Sequence, residues 1–236
     1  LWLISPKEYS QDKVKSFVSK YPKLKRKLIL KDNPNRLKNI RLTNQKINRI
    51  HKLIFTLGKI PTIKLIALTG SLSVDNIKKN DDIDLMIITT TDTLWLTRPL
   101  ALLITSFLSK RRTPNTKIIT STICTNLWLD EASLTVPKPK QNLYTAHEVL
   151  QVRPLLDKDN TYNNFISKNS WVKKYLANAF KSKSQQAGRG PTLKGVAPAA
   201  GPLAIRPKEG LSPKHLLRVG IRPLNHLAFK FQYAYM

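Results

Sequence analysis

Cysteine, acidic side chains and long apolar runs are all scarce in this sequence of 236 residues. The one cysteine, Cys124, excludes an internal disulfide and a zinc site built from several thiolates. Because Cys124 lies in the apolar run 118–129, we expect a buried and unreactive thiol. The most hydrophobic stretch, 94–108, is interrupted by Arg98 and Pro99 and is too short to span a bilayer. We therefore predict a cytoplasmic protein without a membrane span.

The charge of the chain is strongly unbalanced, with 41 basic against 14 acidic residues and a formal net charge of +27. Such an imbalance favours polyanionic partners, namely nucleic acid, nucleotides or an anionic membrane surface. A basic background common to all proteins of the source is the alternative explanation. An apolar fraction of 41% is enough for a hydrophobic core. The first residue is Leu1 rather than Met, so we expect that an N-terminal part is missing.

Two short apolar runs enclose a polar segment near the middle of the chain. The runs, 65–68 and 85–88, are bounded by turn residues and rich in β-branched side chains, which is typical of buried strands. Asp82 and Asp84 lie just before and at the start of the second run. Because strand side chains alternate between faces, we expect both carboxylates on one face, with Cα atoms about 7 Å apart. Such a pair can bind a divalent cation.

Gly70 and Ser71 follow the first apolar run almost directly. A glycine lets the backbone approach a phosphate closely, a serine adds a hydroxyl donor, and the amides of a turn or helix start favour anions. A phosphate-binding bend at one strand end and a metal-binding pair at the next are what nucleotidyl transfer requires. The alternative is a glycine–serine turn followed by an acidic loop that only caps a strand.

The order Gly70-Ser71, ten residues, then Asp82-Ile83-Asp84 resembles the signature of the polymerase-beta-like nucleotidyltransferase superfamily. The resemblance implies an α+β fold, a mixed small sheet of the nucleotidyltransferase type packed by helices, with additional C-terminal helices. It also implies an enzyme that moves a nucleoside monophosphate from a nucleoside triphosphate to an acceptor and releases pyrophosphate. Asp82 and Asp84 would then be catalytic and hold Mg²⁺, with two ions in the full site, while Gly70 and Ser71 would bind the nucleotide.

A looser resemblance, to uncharacterised bacterial proteins with a nucleotidyltransferase domain, covers residues 1–178. It is carried by the segments 126–129, 143–148 and 169–172. This resemblance implies a fold and a reaction type but no substrate. The acceptor is left open among a nucleic-acid end, a protein hydroxyl, an antibiotic and a small metabolite.

One feature departs from the superfamily pattern, which usually includes a third carboxylate on a strand facing the acidic pair. The strand that we predict over 117–129 has no acidic residue. Asp130 and Glu131 follow it, and we expect them to form a turn or helix cap. Because a third carboxylate would be a metal ligand and the general base, its lack supports a second hypothesis. On that hypothesis, the protein binds nucleotide or RNA without turnover.

Arg98 is the remaining candidate for nucleotide binding. It lies near the start of a helix predicted over 94–108, which is apolar on most of its circumference and is therefore expected to be buried against the sheet. An arginine there could contact a triphosphate. Pairing with a surface acid is the alternative.

A further helix is predicted over 143–152 and contains His147 and Glu148. These two residues begin the helical motif of zinc metalloproteases, in which a second histidine follows the first by four residues. Gln151 occupies that position, so this class of enzyme is excluded.

The composition divides the chain into five parts. Residues 43–57 form an amphipathic helix that opens the core, and residues 182–212 contain few large apolar side chains. We predict a basic N-terminal segment that is the remnant of an accessory module (1–42), a nucleotidyltransferase core (43–136), a helical C-terminal extension (137–181), a flexible linker (182–212) and a C-terminal helix (213–236).

Overall fold

The computed structural model describes residues 7–20, 34–109 and 122–187. Within them, four strands form one mixed sheet in the order β3-β2-β1-β4. Strand β1 is antiparallel to both β2 and β4, whereas β3 is parallel to β2. The strands are β1 (Ile63–Leu68), β2 (Ile83–Thr89), β3 (Ile123–Asp130) and β4 (Arg153–Asp157). The expected fold class, a small mixed sheet packed by helices with additional C-terminal helices, is confirmed.

Helices connect and cover these strands. They are α1 (Gln11–Ser19), α2 (Pro34–Gly58), α3 (Gly70–Ser73), α4 (Leu94–Leu108), α5 (Leu143–Gln151), α6 (Thr161–Lys168) and α7 (Lys173–Ala187), with short 3₁₀ turns at Lys138–Lys140 and Ser170–Val172. Helix α4 has the predicted bounds. Helix α2 begins nine residues before the predicted start at residue 43, because Pro34, a residue type favoured at the first helical position, opens the helix rather than interrupting it.

The two faces of the sheet bury different sets of helices. The odd-numbered residues of β2 pack on the side of α2 and α4, together with Ile63, Ile66 and Leu68 of β1. Leu65 and Ala67 of β1 and the remaining apolar residues of β2 pack on the side of α5, α6 and α7. On β2 the first set includes Leu85 and Ile87, and the second includes Met86 and Ile88. Asp84 has the parity of Met86, so its carboxylate is directed to the face that α5, α6 and α7 cover.

Three details of the sequence-based account need correction. Strand β3 begins at Ile123, and residues 117–121 of the predicted strand lie outside the described residues. Strand β4 was not predicted; it contains Pro154 and lies at the edge of the sheet, where a residue without an amide hydrogen is tolerated. Helix α4 packs against the sheet as predicted, but on one side only, because Leu100, Leu103 and Phe107 are exposed, the last to 81%.

The predicted division of the chain into five parts stays a prediction. Helix α7 continues to Ala187, past the predicted start of the linker at residue 182. The rest of that linker and the C-terminal helix predicted over 213–236 lie outside the described residues. Among the helices that the structure describes, none combines the length and the apolar character needed to cross a bilayer.

Candidate functional site

The end of β1 and the start of β2 bring Gly70 against Asp84. The two strands are antiparallel and pair Leu68 with Leu85, and the amide of Thr69 donates to the backbone carbonyl of Asp84 at 3.1 Å. Gly70 has a φ of +60°, in the left-handed region. A Cβ built on Gly70 would lie 2.6 Å from Oδ2 of Asp84, so the carboxylate occupies the space that any other side chain would need. Glycine is thus required here by both backbone conformation and contact.

Asp82 and Asp84 converge on a common point. Alternation along the chain places both side chains on the same face, and β3 brings Cys124 beside them. One ligand atom from each of Asp82, Asp84 and Cys124 lies within 4.8 Å of the other two. All three residues are partly exposed, so an ion from solvent could reach them. Two carboxylates with room for water and phosphate oxygens fit Mg²⁺, whereas a thiol is a poor ligand for that ion.

The loop between α3 and β2 is held together by Asp81. Its Oδ2 accepts from the Ser71 hydroxyl at 3.2 Å and from the Lys78 amide at 2.9 Å. Asp81 therefore orders the loop, in agreement with its opposite parity to the acidic pair. The Ser71 hydroxyl therefore donates to Asp81 rather than to Asp82 or Asp84 in this structure.

Lys46 is a component of the site that sequence reasoning missed. It lies on α2, is only 4% exposed, and its Nζ donates to the backbone carbonyl of Asp81. Burial lowers the pKa of Lys46, and the nearby charges of Asp81 and Asp82 oppose that shift. The available signal was its spacing: Lys46 shares the buried stripe of α2 with Ile50, Leu53 and Leu57, where a lysine is unusual.

Strand β3 offers an amide and a thiol where the superfamily pattern has a third carboxylate. In the parallel register Asp84 pairs with Cys124, and Met86 pairs with Leu127, so β3 contains one extra residue between the pairs. This bulge brings Asn126 to the acidic face, and its Nδ2 donates to Oδ1 of Asp84 at 3.1 Å. Cys124 is half-buried beside the acidic pair, which corrects the expectation of a fully buried thiol.

Asp130 has a structural task, as predicted for the turn after β3. Its two carboxylate oxygens accept from the amides of Asp92 and Ala132, each at 2.9 Å. Burial raises the pKa of Asp130, while these two amide hydrogen bonds lower it and the charges of Asp92 and Glu131 raise it further. Asp130 pairs with Thr89 at the far end of β2, so it does not approach the acidic pair.

Arg98 is the one predicted site residue that the structure does not bring to Asp82, Asp84, Gly70 and Ser71. The neighbouring Thr97 hydroxyl lies 2.6 Å from that of Thr62, which immediately precedes β1. That end of β1 pairs with Thr89, the last residue of β2. Five strand residues, about 17 Å, separate Thr89 from Asp84. Arg98 therefore lies toward the opposite end of the sheet.

Comparisons with known proteins do not identify the family of this chain. No family model and no curated protein matches the chain. A crystal structure of a toxin–antitoxin with AMP-PNP is 21% identical over 60% of this chain and 90% of that one, with a TM-score of 0.27. A mutant of the toxin–antitoxin MntA-HpeT is 18% identical with the same coverage and a TM-score of 0.26. Similarity at this level carries no argument about function.

Proposed function

We propose that this protein is a metal-dependent nucleotidyltransferase. It would move a nucleoside monophosphate from a nucleoside triphosphate to an acceptor, with release of pyrophosphate. One observation carries the proposal: Gly70, in a left-handed conformation, lies against the Asp84 carboxylate, and the Asp84 carboxylate converges with that of Asp82. On this proposal, the terminal phosphates bind at the bend of Gly70 and Ser71, beside an ion that Asp82 and Asp84 would hold. We also propose that the protein is cytoplasmic, as expected from the sequence.

Each residue of the site has a defined task on this proposal. Asp82 and Asp84 hold Mg²⁺, which, when bound, neutralises charge on the reacting phosphate and the leaving oxygen. Gly70 lets the terminal phosphates approach the backbone, and Ser71 can turn its hydroxyl from Asp81 to a phosphate oxygen. Asn126 fixes the orientation of the Asp84 carboxylate by donating to one of its oxygens.

Two carboxylates suffice for one ion. A second ion, expected from the superfamily resemblance, would depend on phosphate oxygens and water, because the described residues near Asp82 and Asp84 add only a thiol to the acidic ligands. Mg²⁺ commonly binds through one or two carboxylates together with substrate phosphates, so this donor set is adequate for the proposed chemistry.

The test is transfer of label from α-labelled nucleoside triphosphates in the presence of Mg²⁺ and a cell extract. The wild-type protein should label an acceptor with at least one nucleotide, and Asp82→Asn and Asp84→Asn should label none. Asp159→Asn is the matched control, because Asp159 is an exposed acid that pairs with Lys64 and should be dispensable. Equal labelling by all four proteins, or none by the wild type with every nucleotide, would refute the proposal.

A second candidate function is binding of nucleotide or RNA without turnover. It is favoured by the amide and thiol of Asn126 and Cys124, which stand where a third carboxylate is usual, and by the net charge of +27. A protein of this kind should bind RNA with steeply salt-dependent affinity that EDTA does not change. Metal-independent RNA binding together with no transfer would favour it over the enzyme.

A further inference from the structure

A cavity of about 280 Å³ lies beside the acidic pair, between the sheet and α5. Its walls are mostly apolar and include Met86, Leu129, Val149 and Phe165. A volume of this size is at the lower end of small-molecule sites. The cavity can therefore accept a single ring or a short chain, but not a whole nucleotide.

The cavity shares a wall with the proposed metal site. Thr69, which lines it, directly precedes Gly70, and Asn126, which also lines it, donates to Asp84. Met86 follows Asp84 on the same face of β2. A molecule in the cavity would thus extend toward the ion that Asp82 and Asp84 hold.

A few polar side chains interrupt the apolar walls of the cavity, among them Asn126, Thr145 and Glu148. Glu148, on α5, is the one charged side chain among the residues that line the cavity, in a chain with only 14 acidic residues.

We propose that this cavity binds the acceptor of the transfer reaction, and that the acceptor is a small, largely apolar amine that also carries a hydroxyl. This inference rests on the function proposed above. The ammonium group would pair with Glu148, and the apolar part would fill the space between the sheet and α5. A carboxylate in an apolar wall repels anions, so the phosphates of the donor nucleotide are directed away from the cavity to Gly70.

The first experiment compares two probes of equal shape and opposite charge, measured by saturation-transfer NMR. Tyramine has an aromatic ring, a hydroxyl and an ammonium group, and 4-hydroxyphenylacetate replaces the ammonium by a carboxylate. Tyramine should bind at least about tenfold more tightly than the anion. In Glu148→Gln that preference should disappear, while Glu131→Gln, which removes an acid outside the cavity, should keep it. No tyramine binding at about 10 mM, or the same preference in Glu148→Gln, would overturn the proposal.

A second set of variants locates the probe. Val136→Phe, at the partly buried rim, should exclude tyramine because the larger side chain fills the cavity, with circular dichroism as the check that the variant folds. ATP with Mg²⁺ should not displace tyramine, since donor and acceptor bind together. Displacement of tyramine by ATP would assign the cavity to the nucleobase and overturn the acceptor assignment.

Failure of this inference can be told apart from failure of the proposed function. Tyramine binding needs neither metal nor nucleotide, so it should persist in Asp84→Asn, in which transfer should be lost. If the wild type transfers label but Glu148→Gln and Val136→Phe use acceptors as well as the wild type does, the cavity assignment is wrong and the transferase remains. If tyramine binds and no nucleotide is ever transferred, the transferase is wrong and the acceptor role of the cavity falls with it.

Discussion

The two ends of the parallel pair β2–β3 each carry a carboxylate in a different setting. At the end where β2 finishes, Asp130 is 9% exposed and both of its oxygens accept backbone amides. At the end where β2 begins, Asp84 is partly exposed, receives the side-chain amide of Asn126, and converges with Asp82. The first carboxylate is used to close a turn. The second is presented to solvent beside a glycine that leaves it room.

This difference teaches that the partners of an acid, rather than its place on a strand, distinguish a structural carboxylate from a ligand-binding one. Amide donors that belong to the backbone are fixed in place and cannot be displaced by a metal ion without breaking the turn. A side-chain donor such as that of Asn126 can orient a carboxylate while leaving lone pairs for an ion. The following predictions contrast the two ends.

The largest expected effect is that of Asp84→Asn on label transfer. Loss of a partner that merely orients a metal ligand costs about 10- to 100-fold, so loss of a ligand itself should lower transfer by more than about 100-fold. The melting temperature should stay within a few degrees of the wild type, because Asp84 closes no turn. Transfer by Asp84→Asn at a rate near that of the wild type would mean that the two ends do not differ in function.

Gly70→Ala should have the next largest effect. The added Cβ would lie 2.6 Å from Oδ2 of Asp84 at a φ of +60°, so the carboxylate must move and the backbone is strained. Titration with Mg²⁺ and nucleotide should show affinity lower by about 10-fold or more. Gly58→Ala is the matched control: its Cβ would meet the flexible end of Leu156, away from the acidic pair, so nucleotide affinity should be unchanged. Equal affinities in both variants would contradict the contact with Asp84.

Asp130→Asn should lower the stability of the fold and leave label transfer unchanged, which is the reverse of what we expect for Asp84→Asn. An asparagine can accept one of the two amides, but its Nδ2 would face the other, which leaves a buried donor without a partner. The expected loss is about 1–3 kcal/mol in the free energy of unfolding, measured by urea denaturation. Label transfer below the melting range should match the wild type. Loss of transfer without loss of stability would reverse the assignment of the two ends.

The smallest effect concerns pH. Burial raises the pKa of Asp130 above its ordinary value of 3.8, so the folded state favours the protonated carboxyl. The stabilisation that arises from this shift is complete at pH values below 3.8 and is lost as pH rises through the folded-state pKa. The stability advantage of the wild type over Asp130→Asn should therefore shrink as pH increases through the weakly acidic range. An advantage that grows with pH in urea denaturation series would contradict this direction.

Sequence patterns were sufficient for the parts of the site that are local in the chain. The alternation of Asp82, Ile83 and Asp84, and the position of Gly70 after an apolar run, are set by neighbours within a few residues. They led to the correct strands β1 and β2, whereas the mixed small sheet was implied by the resemblance to the superfamily. Helix α4 was delimited correctly for the same reason.

The remaining contacts of the site join segments that are far apart in the sequence. Lys46 reaches Asp81 across 35 residues, and Asn126 reaches Asp84 across 42, through a bulge that shifts the register of β3. No local pattern contains either contact. Arg98 lies at the start of α4, which follows the carboxyl end of β2, and its distance from Asp84 depends on the length of that strand rather than on a local pattern.

The most direct measurement is calorimetric titration with α,β-methylene ATP, which cannot undergo transfer. The account predicts that binding to the wild type and to Asp130→Asn requires Mg²⁺ and is abolished by EDTA. It also predicts that Asp84→Asn binds no nucleotide in the same range. Equal binding by Asp84→Asn and the wild type, with or without Mg²⁺, would contradict the claim that the start of β2 is a metal–nucleotide site.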